Sequence, residues 1–240
     1  MPSRARLVRR AAFAALLLAA LASPRPALAH HGKGFLLVES DEMPHPHDFY
    51  FFSSQDLFHF DEGDVYELSP ALLFGLSDRF AVESHVHFAK TPEESFRYEA
   101  VAAALRVGLT PPESDSPLKL GLAAEYEIAS ADEPDRFESR LIAAYRTSDL
   151  NFTVNLVAEK ASGEEEDWEW GYAVGLRPWP ERRIGPGVEA QGTLNGESAH
   201  EVLGGVYFTG NRLTLKAGAG FGFGEAGPDW TIHTGLVFRF

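Results

Sequence analysis

Three side chains with metal-binding and proton-transfer chemistry occupy alternate positions in this 240-residue chain: Glu83, His85 and His87. Alternate residues of a β-strand face the same side, so a strand here would place one carboxylate and two imidazoles on one face. A divalent ion such as zinc accepts these ligands. Side chains two residues apart on a strand lie about 7 Å apart, twice the rise per residue, and this spacing favours a hydrogen-bonded network. We therefore expect no metal site and no cofactor.

A second group of candidate ligands lies near the N-terminus. Its members are His30, His31, Met43, His45, His47 and, further on, His59. A free amine on His30 beside its own imidazole could chelate copper in an oxidising compartment. The group holds one methionine and no repeated motif, and a histidine-rich composition alone is weak support for a metal site. We favour a flexible leader, or a plug at the mouth of the folded domain, over residues 30–47.

The first 29 residues have the three parts of a secretory signal peptide. Four arginines precede an apolar run at residues 11–22, and Ala27-Leu28-Ala29 has the small-x-small form that signal peptidase cleaves. The apolar run is shorter than the roughly 20 residues that a membrane-spanning helix needs. We expect cleavage before His30 and export from a Gram-negative cytoplasm.

Removal of residues 1–29 takes away five arginines and no acidic residue, so the formal net charge falls from −14 to −19. Such an acidic chain is poorly suited to attract nucleic acid. The absence of cysteine excludes disulfides.

The remaining chain repeats one pattern: segments of 10–13 residues with period-two alternation, separated by polar or Pro/Gly turns. In residues 230–240 one face carries Trp230, Ile232, Leu236, Phe238 and Phe240. Five further segments alternate clearly: residues 65–76, 79–90, 118–129, 150–159 and 168–178. Six weaker segments bring the number to twelve: residues 49–59, 96–109, 136–146, 184–194, 200–209 and 212–223. The first weak segment is apolar on both faces, so its inward face stays unassigned.

Three features separate a membrane barrel from a soluble β-sandwich, which also alternates. The segments match the roughly 9–11 tilted residues that cross a bilayer. Aromatic residues gather at segment ends, as at Trp168, Trp179 and Trp230, which is typical of interfacial girdles. Most odd-numbered connections are acidic, and three of the five even-numbered ones are tight turns. The sequence predicts an all-β, antiparallel transmembrane β-barrel of twelve strands over residues 48–240.

The last strand resembles the C-terminal signature of bacterial outer-membrane barrels, because it alternates and ends on Phe240. The resemblance implies insertion among outer-membrane lipids and recognition of this strand by the barrel-assembly machinery. Residues 74–80 (Phe-Gly-Leu-Ser-Asp-Arg-Phe) also resemble the strand-turn-strand repeat of outer-membrane transporters grouped with the phenol-degradation MetA-pathway family. That resemblance implies a channel and no particular substrate.

Catalysis needs a serine and a histidine within hydrogen-bond reach and a third group that orients the histidine. A three-residue loop at residues 76–78 would pair Ser69 with His85 and Glu67 with His87. A Ser69–His85 contact would lie inside the lumen, away from a lipid substrate. Phosphate-loop, dinucleotide and zinc-protease motifs are absent from the sequence. We therefore expect no enzymatic activity.

The predicted inward positions carry charges of both signs, which we expect to pair, and glycines on the last strands, which we expect to leave that side open. The candidate pore-lining residues are Glu67, Ser69, Glu83, His85, His87, Arg106, Lys119, Glu125, Glu127, Arg140, Glu159, Glu189, Lys216 and His233. Twelve strands fall between filled and wide barrels. We expect passive passage of small polar or cationic solutes. The alternative is a non-conducting barrel that captures a divalent metal through lumen or N-terminal histidines.

Overall fold

A computed structural model of the chain describes residues 34–130, 133–162, 167–196 and 198–240. Twelve antiparallel strands follow one another and close into a barrel through pairing of the first strand with the last. The strands are β1 Phe49–Phe60, β2 Gly63–Gly75, β3 Phe80–Lys90, β4 Arg97–Gly108, β5 Leu118–Ala129, β6 Arg136–Arg146, β7 Leu150–Ala161, β8 Glu169–Pro178, β9 Ile184–Thr193, β10 Ala199–Thr209, β11 Leu213–Gly224 and β12 Trp230–Arg239. The predicted fold class and strand number are confirmed.

The two faces of most strands differ in the way that the alternation predicts. Large apolar side chains point outward and are exposed, for example Ile128 at 52% and Phe221 at 62%. Polar and charged side chains point inward and are buried, for example Arg140 and Glu189 at 1% each. An apolar outer surface around a polar interior suits a barrel surrounded by lipid. No helix in the described part of the chain has the length and hydropathy of a membrane span.

The first strand, whose sequence is apolar on both sides, turns a mixed row inward. Tyr50, Phe52 and Phe58 point into the barrel together with Ser54 and Asp56. The two inward aromatics at the start of the strand pack in a small cluster with apolar residues of β2 and β12. Only the neighbouring strands decide this orientation, because period-two hydrophobicity is absent from the segment.

We call the two ends of the barrel the turn end and the loop end. The turn end holds the start of β1, the end of β12 and the even-numbered connections; the loop end holds the odd-numbered connections. At the turn end the backbone N–H of Phe240 donates to the carbonyl of Phe49 over 3.0 Å, and the two rings lie 5.5 Å apart.

The register between β2 and β3 differs from the predicted one by two residues. Gly75 pairs with Ala81, so five residues and not three separate the paired positions. The turn is held by a bond from the Leu76 N–H to the Phe80 carbonyl, and the Ser77 hydroxyl accepts from the Phe80 N–H. As a result His85 lies opposite Ala71 and not opposite Ser69, and Glu67 lies opposite Ala89 and not opposite His87.

Candidate functional site: a plugged lumen between two vestibules

The structure places every predicted pore-lining residue on the interior face of its strand. They are Glu67 and Ser69 on β2; Glu83, His85 and His87 on β3; Arg106 on β4; Lys119, Glu125 and Glu127 on β5; Arg140 on β6; Glu159 on β7; Glu189 on β9; Lys216 on β11; and His233 on β12. Their role in conduction stays a prediction.

Two of the three residues of the first candidate site, His85 and His87, contribute to a network of carboxylates and imidazoles on the loop-end side of the lumen, whereas Glu83 lies 3.5 Å from Arg106 Nη1. His85 Nε2 lies 2.8 Å from Glu125 Oε2, and Ser69 Oγ lies 2.9 Å from His87 Nδ1. The two imidazole rings are 4.9 Å apart. Ser69 thus meets His87, where the predicted register had paired it with His85.

Two geometric features argue against catalysis by this network of imidazoles and carboxylates. The third group beside the serine and histidine, Glu127, lies 3.5 Å from His87 Nε2, beyond ordinary hydrogen-bond length. The surrounding backbone belongs to paired strands, whereas an oxyanion hole needs backbone or side-chain donors aimed at the substrate. Within the described residues, no three His, Asp or Glu side chains converge as a metal-binding group.

The loop-end vestibule is an acidic cavity of about 190 Å³. Among the described residues, its charged lining consists of Arg136 and seven glutamates: Glu67, Glu99, Glu125, Glu127, Glu133, Glu138 and Glu159. Phe58 and Phe60 add aromatic surface on the side of β1. Arg136 donates to Glu159 over 3.2 Å, so the cation belongs to the wall and leaves the cavity with an excess of negative charge.

Residues 34–42, which we call the plug, lie inside the barrel. The side chains of Phe35, Leu36 and Val38 have no exposed surface, and Leu37 has 1%. The contacts of this segment run from Gly34 near β7 and β8 to Glu39 beside β4 and β6, then to Asp41 beside the end of β6. The segment is therefore a loop that enters from the turn end and returns there before β1.

A single carboxylate, that of Glu189 on β9, binds the first part of the plug. Its Oε1 accepts from the Leu36 N–H over 2.7 Å, and its Oε2 accepts from the N–H groups of Leu37 and Val38 over 2.6 and 3.0 Å. The Tyr207 hydroxyl donates to the same carboxylate. Hydrogen bonds to an ionised acceptor are among the stronger ones in proteins, so Glu189 is the main anchor of the plug backbone.

The second part of the plug supplies carboxylates to arginines of the wall. Arg106 Nε donates to Glu39 Oε1 over 2.5 Å, and Arg140 Nη1 lies 3.5 Å from Glu39 Oε2. The backbone of Glu39 also exchanges two hydrogen bonds with the Asn155 side chain, of 2.7 and 2.9 Å. Buried charges are tolerated when they are paired and hydrogen bonded. Here the carboxylate of the plug and the arginines of the wall supply the partners for each other.

Asp41 closes this set of contacts at the turn end. Its Oδ1 lies 2.6 Å from Arg146 Nη2. Burial raises the pKa of the Asp41 carboxyl above its ordinary value; Arg146 opposes the shift, and the neighbouring Glu42 adds to it. Docking of the plug therefore removes this carboxyl from water at some electrostatic cost.

The glycines on the last strands, expected to leave an open wall, make room for the plug instead. A Cβ atom on Gly175 would lie 2.5 Å from the Phe35 ring, and one on Gly218 would lie 2.7 Å from Leu36 Cδ1. The expectation was wrong because missing side-chain volume in a wall can be filled by another part of the chain. The glycine pattern was the sequence signal for an occupant, and residues 35–38 are apolar enough to be one.

The turn-end vestibule is a cavity of about 620 Å³ with the opposite charge. It is lined by Arg146, Arg177, Arg212 and Arg239, with Glu42 and Glu181 as its acidic residues. Gly34 and Glu42 of the plug form part of this lining. Many lumen charges form the expected pairs, such as His85 with Glu125 and Arg140 with Glu138, but the excess charge is negative at the loop end and positive at the turn end.

The N-terminal histidines do not gather in the described part of the chain. His30 and His31 lie outside the described residues, as do the predicted signal peptide and its cleavage site. Met43 packs against the cluster around Tyr50 and Phe52, while the His47 ring lies 6.3 Å from that of Phe74. His59 contacts Asp64 and stacks on Trp230 at the loop end.

The strand order and the polar interior define a closed, twelve-stranded antiparallel transmembrane β-barrel. No protein-family profile and no curated protein sequence matches the chain. The shape is similar to that of three solved outer-membrane barrels. One is the COG4313 outer membrane channel from Pseudomonas putida F1, with a TM-score of 0.62, 13% identity and coverage of 88% of this chain and 100% of that one.

The other two are the NanC porin, with a TM-score of 0.60, 9% identity and coverage of 79% of this chain and 100% of that one, and the KdgM porin, with a TM-score of 0.56, 9% identity and coverage of 80% and 99%. At such low identity these similarities show the fold alone. The resemblance to the MetA-pathway family stays a prediction.

Proposed function

We propose that this protein is an outer-membrane channel for small polar solutes whose own N-terminal plug closes the lumen in the state described. The observation that carries the proposal is the plug's position between two vestibules. Gly34 and Glu42 line the turn-end cavity, while Glu39 contacts Arg140, whose partner Glu138 lines the loop-end cavity. A barrel built only as a scaffold would not need cavities at both ends.

The acidic loop-end vestibule supports a preference of that end for cations and neutral polar solutes, because rings of carboxylates favour cations. The preference concerns this vestibule and not the whole barrel, since the turn-end vestibule is basic. Solutes that pass through would meet both regions in series.

The outer surface supports the proposed location. Exposed aromatic side chains lie near both ends, with Trp168, Trp170 and Trp230 at the loop end and Trp179 and Phe240 at the turn end. Such girdles mark the two membrane interfaces of outer-membrane barrels. Lipid contact along the apolar face and recognition of the strand ending in Phe240 by the assembly machinery are part of the proposal.

Planar-bilayer recording tests the function. The full chain should open rarely, whereas a variant without residues 34–41 should conduct steadily, because the plug's ion pairs and apolar contacts are gone. A heat-modifiable band on an electrophoresis gel shows that the variant has folded. A folded variant that does not conduct would overturn the channel proposal and leave a non-conducting binding barrel, the alternative above; metal content by mass spectrometry would then test metal capture.

A further inference from the structure

Five basic side chains of the wall, which we call the cationic girdle, contact the plug: Arg106, Arg140, Arg146, Arg177 and Lys216. They come from β4, β6, β8 and β11, so together they surround the lumen. Their partners on the plug are all oxygen atoms that bear full or partial negative charge. Three are carboxylates, and two are main-chain carbonyls.

The carboxylates of the plug are arranged as in a small polycarboxylate. Glu39 lies between Arg106 and Arg140, and Asp41 and Glu42 both contact Arg146, over 2.6 and 2.9 Å. Arginine is well suited to carboxylate recognition because its planar fork presents several donors at once. When the plug leaves, these arginines lose its carboxylates.

The plug leaves some hydrogen-bond donors of the girdle without a partner, as Arg177 shows. Its side chain is 4% exposed and lines the turn-end cavity. Nη1 donates to the Gly34 carbonyl over 2.6 Å, but Nε and Nη2 have no hydrogen-bond partner among the described residues. The guanidinium stacks over the Tyr207 ring at 4.3 Å and has no described carboxylate within ion-pair distance. A buried cation that no carboxylate contacts directly is costly, and an incoming carboxylate would relieve that cost.

We propose that the cationic girdle is a binding site for a small organic polycarboxylate that arrives through the basic turn-end vestibule and displaces the plug. The inference rests on the proposed function. Ligand and plug exclude each other because both use the same guanidinium groups. By linkage, a ligand that binds only the undocked state shifts the plug toward that state.

Thiol labelling of one plug residue tests the inference. The chain contains no cysteine, so Ser40→Cys introduces a single thiol at a position that is 3% exposed when the plug is docked. The labelling rate of this full-length variant with a maleimide reagent reports undocking. Tricarballylate, a tricarboxylate, is the probe; sodium chloride at equal ionic strength and inorganic phosphate are the comparison ligands.

Tricarballylate at ten times its dissociation constant should raise the labelling rate about tenfold, and chloride at equal ionic strength should not. A rate that does not respond to tricarballylate, or responds equally to chloride, overturns the inference. A response to phosphate that equals or exceeds that to tricarballylate overturns the assignment to carboxylates.

Two variants in the Ser40→Cys background locate the site. Arg106→Gln with Arg140→Gln should raise the basal labelling rate and weaken the tricarballylate dependence, because plug and ligand lose the same partners. Arg136→Gln, which removes an interior arginine that pairs with Glu159, should behave like the parent. An unchanged dependence in the folded double variant overturns the site. The conductance of the plug-deleted chain tests the proposed function separately, so the two failures are distinguishable.

Discussion

Charged groups at the two ends of the lumen pair with different partners. At the loop end, charged groups pair with other residues of the wall, as His85 does with Glu125 and Arg136 with Glu159. Toward the turn end, wall cations pair with the plug, as Arg146 does with Asp41. Wall pairs persist whether or not the plug is docked, whereas plug pairs are lost when it leaves. If the plug undocks as proposed, the comparison separates an acidic vestibule formed by the wall from a reversible closure formed by the plug, and four changes test that separation.

Filling the wall beneath the plug should have the largest effect. Gly175→Leu places new atoms where the Phe35 ring now lies, since even a Cβ would be 2.5 Å from it. We expect the plug to be expelled and the conductance to approach that of the plug-deleted chain, measured in planar bilayers. The matched control is Gly185→Leu, another interior glycine, whose Cβ would meet its nearest atom at 3.7 Å. Equal behaviour of the two variants would contradict the steric account.

Loss of the plug's main anchor should have the second-largest effect. Glu189→Gln keeps the shape but removes the charge that accepts from Leu36, Leu37 and Val38. Hydrogen bonds to charged groups contribute about 1.5–3 kcal/mol, so the open probability should rise at least about tenfold. Glu201→Gln is the control, because Glu201 binds His233 and Thr231 of the wall. An open probability that Glu189→Gln leaves unchanged would show that the backbone anchor is dispensable.

Neutralising the loop-end vestibule should change selectivity without changing closure. In the plug-deleted chain, Glu125→Gln with Glu127→Gln should move the reversal potential in a salt gradient toward that of a less cation-selective channel, because both carboxylates line the cavity. The shift should diminish at high salt, where screening shortens to about 3 Å. In the full-length chain the same substitutions should leave the frequency of openings unaltered. A changed frequency of openings would show that the loop-end vestibule affects docking of the plug.

The smallest effect should be on pH dependence. Burial raises the pKa of Asp41 in the docked plug, partly offset by Arg146, so docking is favoured as the pH falls and weakened as it rises through the docked pKa. As the pH is lowered from neutral toward the ordinary range of carboxyl groups, the openings should become rarer, by less than about tenfold. Asp41→Asn should reduce this dependence, leaving the part due to other groups. A variant with the full wild-type dependence would exclude Asp41 as its source.

The candidate site was predictable to different extents in different places. The inward positions of Glu83, His85 and His87 followed from alternation alone, because every second residue of a strand faces the same side. Their partners did not follow, because the turn after Gly75 shifts the register by two residues. The contact of Phe35 with Gly175 did not follow either, since the glycine pattern indicates room for an occupant but not which residue meets which glycine.

What the sequence determined by itself was the barrel: twelve alternating segments specify an apolar outside and a polar inside, since the period of a strand is local and repeats along the chain. The tertiary structure decided how the inside is filled. Glu189 and the Leu36 N–H that it accepts from are 153 residues apart, and only closure of the barrel brings them together. The separation of acidic and basic ends arose in the same way, from the positions of charges along strands that meet only in the closed sheet.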